Sequence, residues 1–148
     1  MVSKHPAMPN SKIPESIRRK VKLRARNLCE YCLALGTFSF HPFPVDHIIP
    51  VSKGGDDDTG NLANTCQFCN SSKHDKTEAF DPLTGELVSL FHPRKHSWQQ
   101  HFTWSEDFSS VLGITPIGRA TVACLKMNRE EAINLRAALN AFGVHPPK

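Results

Sequence analysis

The chain has 148 residues, of which 39% are hydrophobic and 22% are charged, and its net charge at pH 7 is +4. This length suits one domain, or a small domain with an extension, and the composition is ordinary for a soluble protein. No apolar run approaches the roughly 20 residues that cross a bilayer, and the polar N-terminus lacks the apolar stretch of a secretory signal. We therefore predict a cytoplasmic protein without a membrane partner.

The positive charge is concentrated at the N-terminal end. Residues 1–33 contain eight Lys or Arg and two Glu, which gives them a net charge of +6. On the same count residues 34–80 carry −3 and residues 81–148 carry +1. Such an asymmetric distribution predicts an anionic partner for the N-terminal end.

The first predicted elements are a flexible tail over residues 1–12 and a helix from Pro14 to Asn27, since proline suits the first position of a helix. A run of charge is often only a solvated helix face. Six basic residues within nine positions, with no acid between them, instead favour contact with phosphates, which needs no readout of bases. These residues are Arg18, Arg19, Lys20, Lys22, Arg24 and Arg26.

Four of the five cysteines form two Cys-x-x-Cys pairs, Cys29 with Cys32 and Cys66 with Cys69, which are separated by 33 residues. In the cytoplasm such thiols are more often metal ligands than disulfides. Four thiolates complete the tetrahedron of a zinc ion and leave no open position, so the predicted zinc is structural. The alternative is that the thiols bind no metal or are redox-active. Cys124 has no partner and is predicted to be a buried apolar side chain.

Between and after the cysteine pairs, the pattern predicts a strand over residues 45–49, a turn-rich loop over 52–60, a strand over 62–65 and a helix over 70–76. Asp46 and His47 are adjacent in the first strand, where neighbouring side chains point to opposite faces. They serve one site only if that strand is irregular or lines a curved edge. The residues alone also fit a structural Asp-His pair, with Asn61 in a turn and Asn70 in a cap.

These side chains suit a hydrolytic site. An imidazole accepts a proton from water near neutral pH. Carboxylate and amide oxygens from Asp46 and Asn70 match Mg²⁺ or Mn²⁺ better than zinc. Their chemistry is therefore distinct from that of the sulfur ligands.

Residues 81–148 predict a turn at 82–85, a hairpin from segments 101–104 and 108–114, a helix over 118–127 and a last helix capped by Asn128. Ala132, Leu135, Leu139 and Phe142 predict one apolar face on the last helix. The aromatic and histidine side chains of this segment predict the core of an added subdomain. Stacking on bases or a second metal site is the alternative.

The motifs of the first half resemble the HNH endonuclease family. They are Cys29-Glu-Tyr-Cys32, Val45-Asp-His-Ile-Ile-Pro50, Ser52-Lys-Gly-Gly55, Asn61-Leu62 and Cys66-x-x-Cys69-Asn70-x-x-Lys73, within roughly residues 13–78. The resemblance implies an α+β fold with a small ββα-metal (His-Me finger) nuclease core stapled by zinc. That core would span residues 13–80 and include the basic helix. A C-terminal extension of hairpin and helices would span residues 81–148.

The same resemblance implies a metal-dependent endonuclease that hydrolyses phosphodiester bonds in DNA, with RNA not excluded. His47 would be the general base, and Asp46 and Asn70 would bind the catalytic Mg²⁺ or Mn²⁺. Asn61 would tie the loop and orient the imidazole by hydrogen bonding. His74 is a rival to Asn70 for the third motif position. Lys73 falls where the family pattern carries a lysine, and the resemblance implies a contact with the scissile phosphate or a neighbouring one. Together with the residues predicted from the basic helix, the expected contacts to nucleic acid are Arg18, Arg19, Lys22, Arg26 and Lys73.

Two other functions fit the same motifs. One is a zinc-stabilised module that binds nucleic acid without cutting it, and the other is an adaptor in which zinc only holds the fold. The sequence leaves open the target, the type of cut, and whether the chain is a monomer or a homodimer.

Overall fold

The structure, a computed structural model, describes residues 13–148 and shows helices combined with three two-stranded antiparallel sheets. The predicted tail over residues 1–12 lies outside the described residues. The helices are α1 (Glu15–Arg24), α2 (Gln67–Lys73), α3 (Trp98–His101), α4 (Pro116–Cys124) and α5 (Glu130–Ala141). The strands are β1 (Val45–His47), β2 (Leu62–Asn64), β3 (Glu78–Phe80), β4 (Leu87–Ser89), β5 (Phe102–Trp104) and β6 (Val111–Gly113).

The first hairpin and the helix after it form a ββα unit. Strand β1 pairs with β2, with His47 opposite Leu62, and α2 begins after the N-cap Cys66, whose sulfur accepts a hydrogen bond from the Cys69 amide at 3.3 Å. The predicted α+β fold and the order of strand, loop, strand and helix are confirmed. Both strands are shorter than predicted, and α2 begins three residues earlier.

Helix α1 packs against this hairpin through a small apolar cluster that contains Ile13, Val21, Val45 and Leu62. The helix ends three residues before the predicted Asn27. The chain then turns through two residues with positive φ, because Arg26 and Asn27 have φ values of 55° and 59°. This left-handed backbone breaks the helical hydrogen-bond pattern.

The extension contains the predicted hairpin, β5–β6, and two following helices, α4 and α5. An unpredicted hairpin joins the two parts of the chain, since β3 pairs with β4 across the predicted turn at 82–85. The predicted domain boundary after residue 80 falls between these paired strands. Alternation in β3 and β4 is weak, because both three-residue strands are largely exposed.

The main hydrophobic core is shared by the first half of the chain and the extension. It combines the four paired cysteines and Tyr31 with Leu90, Phe91, Phe102 and Met127. The extension therefore packs against the cysteine cluster, which lies beside the ββα unit.

Helix α5 differs from the prediction in its cap and in its buried face. Asn128 does not cap it. The Asn128 side chain instead accepts a hydrogen bond from the Val111 amide and donates one to the Val111 carbonyl, both at 2.8 Å. Phe142 is 83% exposed, whereas Arg136 is buried. The apolar spacing failed here because a charged side chain with carbonyl acceptors takes the inward position.

An ion pair between Asp81 and Arg119 makes stability depend on acid pH. Asp81 is buried and accepts two hydrogen bonds from the Arg119 guanidinium, at 2.9 and 2.8 Å. This guanidinium holds the pKa of the Asp81 carboxyl well below its usual range. A lowered pKa contributes stability above about pH 4, the unfolded value, and that contribution is lost as pH falls toward the folded value.

We expect Asp81→Asn to lower the unfolding midpoint at pH 7 and to flatten its decline below about pH 4. Urea unfolding at a series of pH values measures both effects. Glu86→Gln, which neutralises an exposed carboxylate in the same turn, is the matched control. An unchanged acid decline in Asp81→Asn would contradict the assignment.

Candidate active site and metal centre

The four paired cysteines converge at one buried point. Their sulfur atoms all lie within 4.8 Å of one another, and the sulfurs of Cys32 and Cys66 are 3.8 Å apart. Two thiolates on a tetrahedral zinc with bonds of about 2.3 Å would be about 3.8 Å apart. Burial raises the pKa of the Cys29 thiol well above its usual range, so a thiolate there requires a nearby cation. The cluster is thus positioned to hold a metal ion.

Hydrogen bonds fix the first cysteine pair to β2 and to the extension. The Glu30 amide donates to the Asn64 carbonyl, and the Asn64 side chain donates to the Leu28 carbonyl, both at 2.8 Å. From the other side, the Trp98 indole donates to the Tyr31 carbonyl at 2.8 Å. These bonds preset the backbone of the Cys29–Cys32 turn.

Two arginines of the extension support the cysteine cluster, and sequence reasoning missed both in this role. The Arg129 guanidinium stacks 3.6 Å from the ring centre of Phe68, which lies between Cys66 and Cys69. Buried Arg136 donates to the Met127 carbonyl at 2.6 Å, and its charge interacts with the thiols of the cluster. A cation here offsets the negative charge of four thiolates around one divalent metal.

Asp46 is buried beside Lys73. Its Oδ2 atom accepts from the Tyr31 hydroxyl and lies 3.1 Å from the Lys73 ammonium, which also donates to the His47 carbonyl at 3.2 Å. Burial raises the pKa of the Asp46 carboxyl, and the Lys73 charge acts against that rise. Lys73 is only 1% exposed. Its predicted contact with a phosphate does not fit this position, because the ammonium is enclosed and already paired.

His47 is the last residue of β1, and the chain bends immediately after it. Its Nε2 atom lies 2.7 Å from Oδ1 of Asp57, a residue that the sequence did not single out. The His47 side chain is 5% exposed and that of Asp57 is 56% exposed. Because a carboxylate only accepts, Nε2 carries the proton in the neutral ring, and Nδ1 keeps a lone pair. The only signal for Asp57 in the sequence is the acidic triplet Asp56–Asp58, and such a triplet is typical of a solvated turn.

Asn61 ties the loop that carries Asp57. Its side-chain oxygen accepts from the Ile49 amide at 2.8 Å, and its amide group donates to the carbonyls of Ile49 and Asp56 at 3.0 and 2.9 Å. Gly55 completes the packing, since a Cβ there would lie 1.7 Å from the Ile49 carbonyl oxygen. All these Asn61 bonds go to the backbone, so the imidazole is held by Asp57 and not by Asn61.

Asn70 and His74 occupy different surroundings. Asn70 is half-buried in α2, three residues before Lys73, and residues at this spacing are neighbours on a helix surface. His74 ends the same helix, and its ring is 3.1 Å from the Asp75 carboxylate, with both side chains largely exposed. By this helical spacing, Asn70 neighbours Lys73, whose ammonium contacts Asp46.

Comparison with known families identifies this region. Residues 29–76 match the family model for HNH endonuclease. The resemblance inferred from the motifs is confirmed. The matching residues, called the HNH segment below, include both cysteine pairs and the ββα unit, and their likeness to this family suggests nuclease activity on nucleic acid. No curated protein matches the chain.

The donor atoms of the HNH segment are chemically suited to a second, oxygen-ligated metal ion. Both hydrogen-bonding partners of Asp46 are on Oδ2, and Oδ1 has no hydrogen bond to a residue of the described chain. Asn70 offers an amide oxygen. This small set leaves coordination positions for water and phosphate, as Mg²⁺ prefers.

Helix α1 places its basic side chains beside the HNH segment. Arg24 donates to the carbonyls of Thr59 at 3.0 Å and Leu62 at 2.6 Å, which attaches the end of α1 to the start of β2. Arg26 donates to the Lys148 carbonyl at 2.8 Å. Arg19 is exposed, and Arg18 and Lys22 are half-buried. No helix within residues 13–148 is long and apolar enough to cross a membrane.

Proposed function

We propose that the protein is a metal-dependent endonuclease that hydrolyses phosphodiester bonds in DNA, with His47 as general base. The observation that carries this proposal is the His47–Asp57 contact of 2.7 Å within the HNH segment. It fixes one ring nitrogen as a donor and leaves the other as a proton acceptor. An imidazole held in this way has the arrangement that general base catalysis requires.

Nδ1 of His47 takes a proton from the attacking water while the water oxygen forms a bond to phosphorus. The bond from phosphorus to the 3′ oxygen breaks, and that oxygen leaves with the bonding pair and takes a proton from solvent. Asp57 stabilises the imidazolium that forms, because its carboxylate accepts a hydrogen bond from the Nε2–H group before and after the proton transfer. The His47 ring is 5% exposed, whereas the Asp57 side chain is 56% exposed, so solvent screens the carboxylate side of this contact.

Asp46 and Asn70 are the residues that would hold the catalytic Mg²⁺ or Mn²⁺. When bound, the cation supplies a Lewis acid that stabilises negative charge on the phosphate and leaving oxygen. Lys73 restrains the Asp46 carboxylate through Oδ2 and leaves Oδ1 for the metal. The neighbouring positions of Asn70 and Lys73 on α2 support Asn70 over His74 as the second ligand.

The four cysteines would bind a structural zinc ion. The sulfur spacing and the absence of an open ligand position support zinc in this role. Arg18, Arg19, Lys22 and Arg26 would contact the phosphates of the substrate, since they lie on or just after α1 beside the HNH segment. Lys73 is omitted from this set because it is buried.

Asp57→Asn should lower kcat by up to about 10⁴-fold, the loss seen when the aspartate that holds a general-base histidine becomes asparagine, and leave KM nearly unchanged. The amide no longer fixes the proton on Nε2, so the ring loses its preferred tautomer. Cleavage kinetics measure the rate, and ¹⁵N NMR of the His47 ring measures the tautomer. Asp58→Asn, an exposed neighbour, is the matched control. Equal kinetics and tautomer in wild type and Asp57→Asn would contradict this role.

The proposed reaction predicts particular product ends. An end-labelled DNA duplex incubated with Mg²⁺ or Mn²⁺ should give fragments with a 5′-phosphate and a 3′-hydroxyl, which a DNA ligase rejoins. Cleavage without added divalent metal, or 3′-phosphate ends, would contradict the proposed chemistry. An RNA duplex in parallel tests the preference for DNA.

One observation favours a second candidate, a nucleic-acid-binding module without catalysis. The Lys73 ammonium already neutralises Asp46, and so competes with a cation for that carboxylate. This candidate predicts salt-sensitive DNA binding without metal-dependent cleavage. The experiment above therefore separates the two functions.

A further inference from the structure

Two clefts lie between the HNH segment and the extension. In the first, of about 320 Å³, Ile48, Ile49 and Lys73 meet residues 89–92 of the extension. The second, of about 360 Å³, is lined by Asn61 and by five residues of the preceding loop, which are Gly54, Gly55, Asp56, Asp58 and Gly60. Ile49, His92 and Lys95 line both clefts. The extension thus contributes side chains directly beside the residues that follow His47.

The turn over residues 92–96 is held rigidly. Nδ1 of His92 accepts from the amides of Arg94 at 3.1 Å and Lys95 at 3.3 Å, and Nδ1 of His96 accepts from the His92 amide at 2.9 Å. The preceding Phe91 is buried, and its amide donates to the Thr121 hydroxyl at 2.9 Å. Since Nδ1 of His92 is an acceptor, Nε2 carries the ring proton and is a fixed donor.

The charges of the turn suit an anion. Burial, followed by the charges of Lys95 and His96, lowers the pKa of His92, so the ring is neutral at pH 7 and donates without carrying charge. Lys95 is exposed, and within residues 13–148 it forms no ion pair. Its ammonium is available to a ligand.

Carboxylates also line the clefts and oppose an anion. Glu78 lines the first cleft, and Asp56 and Asp58 line the second. Each carboxylate lines one cleft, whereas His92 and Lys95 line both. His92 and Lys95 are therefore the donors that both clefts share, whereas no carboxylate within residues 13–148 lines both.

We propose that His92 and Lys95 form a phosphate-binding wall, contributed by the extension, that holds the nucleic-acid backbone against the HNH segment. The ligand is a phosphodiester of the proposed DNA substrate, so its identity rests on the proposed function. A fixed neutral donor together with a mobile ammonium binds phosphate oxygens without reading bases. The wall gives the extension a role in substrate binding besides its packing.

The test measures binding separately from cleavage. In a His47→Ala background without added divalent metal, fluorescence anisotropy follows a labelled duplex of about 20 base pairs between about 50 and 200 mM salt. Lys95→Ala should reduce the slope of log K against log salt by about 0.9, the value for one lost phosphate contact. Lys95→Arg should keep the slope. Lys126→Ala, an exposed lysine that lines neither cleft, should leave it unchanged.

A slope in Lys95→Ala equal to that of Lys126→Ala would overturn the wall, provided that thermal unfolding shows both variants folded at the same midpoint. Unequal midpoints would be resolved by Lys95→Gln, which keeps the stem and removes only the charge. If wild type binds with the predicted Lys95 dependence but never cleaves, the proposed catalysis fails and the wall stands. Absence of any DNA binding by the parent would overturn both.

Discussion

His47→Ala should lower the rate of DNA cleavage by on the order of 10²–10⁴-fold, the contribution of a positioned general base. The effect should fall on kcat, because the imidazole takes the proton of the attacking water and Asp57 holds the ring from its other nitrogen. Single-turnover cleavage of a labelled duplex measures the loss. Zinc content should stay close to wild type, since the cysteine cluster is a separate site. Because His47 is buried, thermal unfolding is measured in parallel to show that the variant is folded at the assay temperature.

His74→Ala is the control for that experiment. His74 is the rival of Asn70 for the third motif position, and within residues 13–148 its exposed ring is paired only with Asp75. His74→Ala should cleave DNA at a rate within about twofold of the wild-type rate, as expected for a residue that takes no part in the reaction. Equal losses in His47→Ala and His74→Ala would contradict the assigned base.

Cys29→Ser should abolish stoichiometric zinc binding and the cooperative fold. Binding of a structural zinc contributes directly to folding free energy, about 10–16 kcal/mol in small zinc domains. Cys29 is fully buried in the core that joins the HNH segment to the extension. Loss of the metal should therefore unfold both parts. Elemental analysis should give about one zinc per wild-type chain, filling one four-cysteine site, and circular dichroism should show loss of the unfolding transition in the variant.

Cys124→Ser provides the matched thiol control. Cys124 is half-buried and lies outside the four-cysteine cluster, so this variant should keep its zinc and its unfolding transition. A Cys29→Ser protein that remains folded and binds zinc as wild type does would contradict the structural role of the cluster.

The parts of the fold that sequence could predict are those encoded by local spacing. Each Cys-x-x-Cys places two thiols on one turn, and the pattern from Val45 to Lys73 specifies strand, loop, strand and helix without knowledge of distant contacts. The exposed hairpin β3–β4 was missed because its short strands bury little and so leave no alternation to detect.

The parts of the candidate site that the sequence did not predict depend on contacts between distant segments. Asp57 contacts His47 in a loop that Asn61 holds against Ile49, and the sequence shows that loop only as polar. Lys73 lies where a basic side chain suggests a phosphate contact, yet the fold buries it against Asp46. Arg136 approaches the cysteines across more than sixty residues of chain, which periodicity within α5 does not encode.

The most direct test of the central claim is nicking of supercoiled plasmid in Mg²⁺ or Mn²⁺ by wild type, His47→Ala and Asn70→Ala, purified in parallel. We predict that wild type converts the plasmid to open-circular or linear DNA only with divalent metal, and that both variants are at least about 100-fold slower, as expected from loss of a general base or a metal ligand. Equal nicking by all three proteins, or no nicking by wild type under any metal condition, would contradict the claim.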